Sequence, residues 1–107
     1  MKGEILRGHL DMLLLAALER GPAHGYAVIE LVNSDSGGVF DLQQGTVYPV
    51  LHRLEREGLI RSRWQTHAGR ERRLYEVTGD GRKRLQDERV DFKRFARGVL
   101  GVIGEAT

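Results

Sequence analysis

The sequence predicts a mainly α domain carrying one small antiparallel β-hairpin. Three observations predict it. Apolar residues recur at helical spacing through the first half of the chain. The period then drops to two over residues 59–78, and a helical period returns and runs to residue 103. A length of 107 residues suits one compact domain. With 40% hydrophobic and 30% charged residues the composition is globular, not disordered.

Residues 4–20 open the chain with a leucine- and alanine-rich helix, nearly unbroken in apolar character from Met12 to Leu18. A helix apolar on most of its circumference has to be covered on more than one side. The run has the look of a signal-peptide core, but Asp11 interrupts it, Glu19 closes it, and no small-x-small pattern follows. It is therefore expected to belong to the mature fold. No apolar run approaches the roughly 20 residues that cross a bilayer, so no membrane is expected as a partner. Cysteine is absent, which excludes a disulfide scaffold and a thiol nucleophile; a cytoplasmic location is the expectation.

Gly21 and Pro22 end the first helix, and "HGYAVIELVN" (24–33) resumes the helical spacing. "SDSGG" (34–38) is loop chemistry, and "VFDL" (39–42) is a short extended connection. A third helix follows in "QQGTVYPVLHRLEREGLI" (43–60). A turn of about 100° per residue puts Val47, Val50, Leu51 and Leu54 on one face. Gly45, Pro49, His52 and Arg56 fall on the other, with Tyr48 and Arg53 at its edges; Gly58 terminates the helix. Both helix-weakening residues thus point outward. That placement fits a helix front that something approaches closely, and it fits equally a loosely formed first turn.

From Leu59 the chain alternates, with Ile60 and Trp64 expected inward and Trp64 read as a hairpin or core anchor. "HAGR" (67–70) turns the chain around Gly69, and "ERRLYEVT" (71–78) returns with Tyr75 and Val77 on one face. Thr78 is placed to cap the last helix, over 79–103, with Asp80 in its first turn. Along that helix Leu85, Phe92, Phe95, Val99, Val102 and Ile103 form an apolar stripe. At about 1.5 Å per residue it would exceed 30 Å, about the width of the domain. A second copy of the chain is the economical cover, through Leu14, Leu15 and Leu18 of the first helix and Phe92, Phe95, Val99, Val102 and Ile103 of the last.

Charge is informative by position, since the net value is only +2. Residues 61–84 carry eight basic residues against three acidic, whereas the first 41 carry three basic against six acidic. The hairpin region is basic enough to meet an anionic partner, or to stand as a solvated charged hairpin. His9, His24, His52 and His67 are scattered without metal-ligand spacing, and no nucleophile elbow, Walker or dinucleotide motif occurs. No catalytic residue, metal or cofactor is expected.

Helix, helix, outward-faced helix, basic hairpin and long helix is the order of a winged helix–turn–helix, in which the third helix enters a DNA major groove. The expected division is residues 1–78 as the winged helix–turn–helix and 79–107 as a dimerisation helix. "HGYAVIELV", "GTVYPVLHRLEREGLI" and "RLYEVTGDGRKRL" further resemble the N-terminal domain of the PadR family of transcriptional regulators, over roughly residues 10–86. The short C-terminal helix resembles the smaller subfamily. Val47 stands where that family usually has Leu, and Gln43-Gln44 replaces a frequent Ser-Pro. The resemblance implies a dimeric repressor acting on an operator in double-stranded DNA, with a small aromatic effector in several members.

On this reading Gly45 lets free N–H groups approach a phosphate, Pro49 keeps the helix front compact, and the Tyr48 hydroxyl meets phosphate. Gln44 and Thr46, beside Gln43, are placed to read base edges. His52 and Arg53 lie further along the helix, and Gly69, Arg70 and Arg72 form the wing contact. The alternative is a winged helix used for protein–protein assembly, which would have no need of a basic hairpin aimed at phosphates.

Overall fold

The computed structural model describes residues 3–104; the outermost ends of the two expected segments, 1–2 and 105–107, lie outside them. Five helices and three strands follow in the order α1 (Gly3–Arg7), α2 (Leu10–Glu19), β1 (Ala23–His24), α3 (Gly25–Asp35), α4 (Gln44–Arg56), β2 (Ile60–His67), β3 (Arg70–Val77) and α5 (Gly79–Ile103). The single opening helix expected from the sequence is divided at Gly8–His9, because glycine and a non-helical His9 interrupt it ahead of Leu10.

The sheet has three strands, in the order β1-β3-β2, all antiparallel. β1 adds only two residues, pairing Ala23 with Tyr75 and His24 with Leu74. So short a strand has no alternation to betray it. The hairpin pairs Ile60 with Val77, Ser62 with Tyr75, and Trp64 with Arg73. Opposed residues share a face, so Ile60, Ser62 and Trp64 do line one side as alternation predicts.

The core collects Leu10, Leu14, Leu15 and Leu18 of α2, Val28, Ile29 and Val32 of α3, Val47, Leu51 and Leu54 of α4, Ile60, Tyr75 and Val77 of the sheet, and Leu85 of α5. Two expectations are corrected here. Leu14, Leu15 and Leu18 were assigned to an interface between copies, yet they are 0%, 0% and 1% exposed within one chain. Helices α3, α4 and α5 together with the sheet already surround α2, so no second copy is needed to cover it. Trp64 was assigned inward, yet it is 60% exposed. The parity was right, but the hairpin extends past the helices, and only Ile60 and Ser62 on that face lie over them.

Leu85 is the last fully covered side chain of α5; beyond it Phe95, Val99, Val102 and Ile103 are exposed. Gly58, at φ +78°, closes α4, and the Thr78 hydroxyl accepts from the Gly81 N–H at 3.1 Å to start α5. No described helix is long and apolar enough to cross a membrane.

Candidate nucleic-acid interface

Helix α4 begins without a side-chain cap on Gln43, so its first N–H groups keep their donor capacity. Gln43, Gln44, Gly45, Thr46, Pro49 and His52 are all exposed along one face, while Val47, Leu51 and Leu54 are buried on the other. A Cβ built at Gly45 meets nothing within 4 Å. Pro49 is the sixth residue of α4, beyond the first turn. It therefore withholds a hydrogen bond from the Gly45 carbonyl, which solvent can satisfy on that exposed face.

Tyr48 sits otherwise than its outward edge position implied. Its ring is half-buried and packs across the start of α3, where a Cβ on Gly25 would lie 2.5 Å from the ring and 2.7 Å from the hydroxyl oxygen. Gly25 is what allows α3 and α4 to meet there.

Arg53 is engaged within the molecule. It donates to Asp11 of α2 and, at 3.1 Å, to Glu57; Arg84 of α5 donates to the other Asp11 oxygen at 3.1 Å and to Glu88. The hydrogen bond that Arg53 donates to Asp11, then the one it donates to Glu57, holds its guanidinium above its ordinary pKa. Arg53 is thus part of an ion-pair network that ties α2, α4 and α5 together, with its side chain still 39% exposed.

In the wing, Ala68 and Gly69 take positive φ (+52° and +76°) to turn the chain, leaving Gly69 and Arg70 exposed at the tip. Arg72 is half-buried, and its Nη1 donates to the Tyr26 hydroxyl at 2.7 Å. Arg73 lies over the Trp64 ring, 4.9 Å from its centroid, and donates to the Ser62 hydroxyl, which itself donates to Glu55 of α4 at 2.6 Å. Beneath them burial pushes the Tyr75 hydroxyl above its usual pKa, with Arg73 opposing. The structure thus gathers the α4 front and the wing tip on the outside of the fold. It adds Tyr26, Trp64 and Arg73, which the sequence pattern did not assign to this surface. Tyr26 and Arg72 are 46 residues apart, and no periodicity reports such a pairing. Among the described residues no cluster of His, Asp or Glu could hold a metal ion.

Comparison with known proteins adds a family. The Transcriptional regulator PadR-like family matches residues 14–87. The chain is 44% identical over 62 residues to Transcriptional regulator Rv3488 of Mycobacterium tuberculosis, a match spanning 58% of each protein. It resembles a PadR family transcriptional regulator from Eggerthella lenta at 33% identity and a TM-score of 0.81, over 94% of this chain and 86% of that one. It also resembles Bacillus subtilis PadR, solved in complex with operator DNA. There the identity is 26% and the TM-score 0.68, over 73% of this chain and 44% of that one.

Proposed function

The chain belongs to the PadR-like family of transcriptional regulators, a family of regulators and not of enzymes, and from that premise we propose that it binds operator DNA in sequence-specific fashion. The observation that carries this reading is the exposed, uncapped front of α4 standing beside a basic hairpin. The α4 front enters the major groove, with Gln44 and Thr46 toward base edges and Gly45 admitting a phosphate to the helix N-terminus. Gln43, Pro49 and His52 border that contact, while Gly69, Arg70 and Arg72 follow the backbone. Residues 1–78 form the reading unit, into which the start of α5 locks through Gly81 and Leu85.

The protein acts as a dimeric repressor, paired through the outer stripe of α5. A recess of about 480 Å³, where Met12, Phe92 and Phe95 stand among charged side chains that include Arg7, Arg84 and Glu88, has the size to admit a small aromatic effector. Its walls include Asp11 and Arg53, so an occupant there would bear on the ion pairs that hold α4.

Titration with a duplex selected by the protein from a random pool, at several salt concentrations, tests the DNA reading. Affinity should fall with salt at a logarithmic slope near −0.9 per neutralised phosphate. Arg70→Ala should weaken all sequences alike and flatten that slope by about one. Gln44→Ala should relax preference at one or two base pairs at a cost of ~1–3 kcal/mol. Binding that ignores salt would favour the assembly module instead.

A further inference from the structure

Between the start of α3, the middle of α4 and the root of the wing lies a cavity of about 320 Å³. Its lining is unusual for a surface recess. Tyr26, Tyr48, Trp64 and His52 face it together with Arg72 and Arg73, against one carboxylate, Glu71.

The chemistry at its rim is directional. Arg72 Nη1 donates to the Tyr26 hydroxyl oxygen at 2.7 Å, so the hydroxyl proton is left to be donated elsewhere, polarised by the cation. The guanidinium also lies 5.5 Å from the centroid of the Tyr26 ring, and that ring is stacked on His24 at 6.0 Å and 7°. Tyr26 and Arg72 are thereby preassembled. Arg72 Nε is covered and meets no acceptor among the described residues, an expensive state for a charged donor. Across the cavity, Trp64 is 60% exposed, with the Arg73 guanidinium held 4.9 Å from the centroid of its ring.

We infer that this cavity seats one phosphodiester and its deoxyribose from the duplex that α4 reads, with Tyr26 and Arg72 holding the phosphate and Trp64 packing against the sugar. The inference rests on the DNA reading above, which already gives Arg72 to the backbone, and extends it to Tyr26 and Trp64. Position favours this occupant: the cavity lies between the front of α4, assigned to the major groove, and the wing tip, assigned to the neighbouring backbone. A strand passing from one to the other crosses it. Tyr26 is a positioning residue as well as a donor, since it fixes the Arg72 fork. The site is specific for backbone, not for bases.

The test uses the full chain and the selected duplex, prepared as a series with one neutral methylphosphonate linkage at each position in turn. Wild-type protein should lose about tenfold in affinity at one linkage between the two groove contacts. Tyr26→Phe keeps the ring and its stack. It should bind the unmodified duplex about tenfold more weakly, with no further loss at that linkage. Arg72→Lys keeps the charge without the fork and should not restore the wild-type pattern. Trp64 is the only tryptophan, so its emission should change as the duplex binds. If Tyr26→Phe binds and responds to each linkage as wild type does, or if Trp64 emission is unmoved by a bound duplex, the seat is overturned while the DNA reading stands. If wild-type protein binds no duplex, both fall.

Discussion

A methyl group added at Gly25 would fall 2.5 Å from the Tyr48 ring, and one added at Gly81 would fall 2.0 Å from the Leu59 carbonyl oxygen. One added at Gly45 would meet nothing within 4 Å. Packing therefore requires glycine at Gly25 and Gly81 and does not require it at Gly45. Gly25→Ala should cost about 1–3 kcal/mol as Tyr48 is displaced, and Gly81→Ala more, because backbone cannot swing aside. Gly45→Ala should leave stability unchanged or raise it by up to about 1 kcal/mol, since alanine is the better helix former. Its loss should appear only in DNA affinity, where the added methyl group stands between the α4 front and a phosphate. Urea denaturation beside duplex titration checks both halves. A Gly45→Ala variant that binds as wild type does would remove the close approach as the reason for glycine there.

At the level of the elements, helices α4 and α5 begin in opposite ways. α4 starts uncapped on Gln43, and its front is open. α5 starts on Thr78, whose hydroxyl accepts from Gly81 N–H at 3.1 Å and donates to the Gly58 carbonyl at 2.7 Å. That second bond ties the start of α5 to the glycine that ends α4, so one side chain fixes the long helix against the reading unit. Thr78→Ala should lower stability by about 1 kcal/mol, within the usual range of 0.5–2 for a lost cap. Thr78→Ser should recover most of it. Equal unfolding midpoints for the alanine variant and wild type would show that the junction is held by Leu85 packing alone.

The whole molecule is elongated, 54 Å by 28 Å by 21 Å, and α5 is its longest helix. Its 25 residues span about 37 Å, of which the part beyond Leu85 carries Phe95, Val102 and Ile103 at 64%, 88% and 64% exposure. Contiguous apolar surface of this kind marks an interaction site, and the proposed dimer covers it with the same stripe of a second copy. Because Phe95 and Val102 touch little in one chain, Phe95→Asp with Val102→Asp should leave the circular dichroism spectrum unchanged. Sedimentation should then give monomers, and duplex affinity should fall as the second reading helix is lost. A variant that still sediments as a dimer would move the interface elsewhere.

Much of the fold was legible because helical and strand periods are local. Spacing alone assigned the buried face of Val47, Leu51 and Leu54, the parity of Ile60, Tyr75 and Val77, the stop at Gly58, the cap at Thr78 and the open stripe of α5. The resemblance in residues 10–86 carried the family. Periodicity states which side chains share a face, but it does not state what covers that face or how far the cover extends. Only the tertiary structure could place Leu14, Leu15 and Leu18 inside one chain and leave Trp64 out beyond the helices. Likewise the candidate site was half visible. The α4 front and the wing tip announce themselves by exposed residues next to one another in the chain. Arg53 meets Asp11 across 42 positions, Arg72 meets Tyr26 across 46, and β1 pairs with β3 through two residues. Those partnerships are made by the packing of the apolar core, which brings distant polar groups within hydrogen-bond reach without leaving any pattern in the sequence around them.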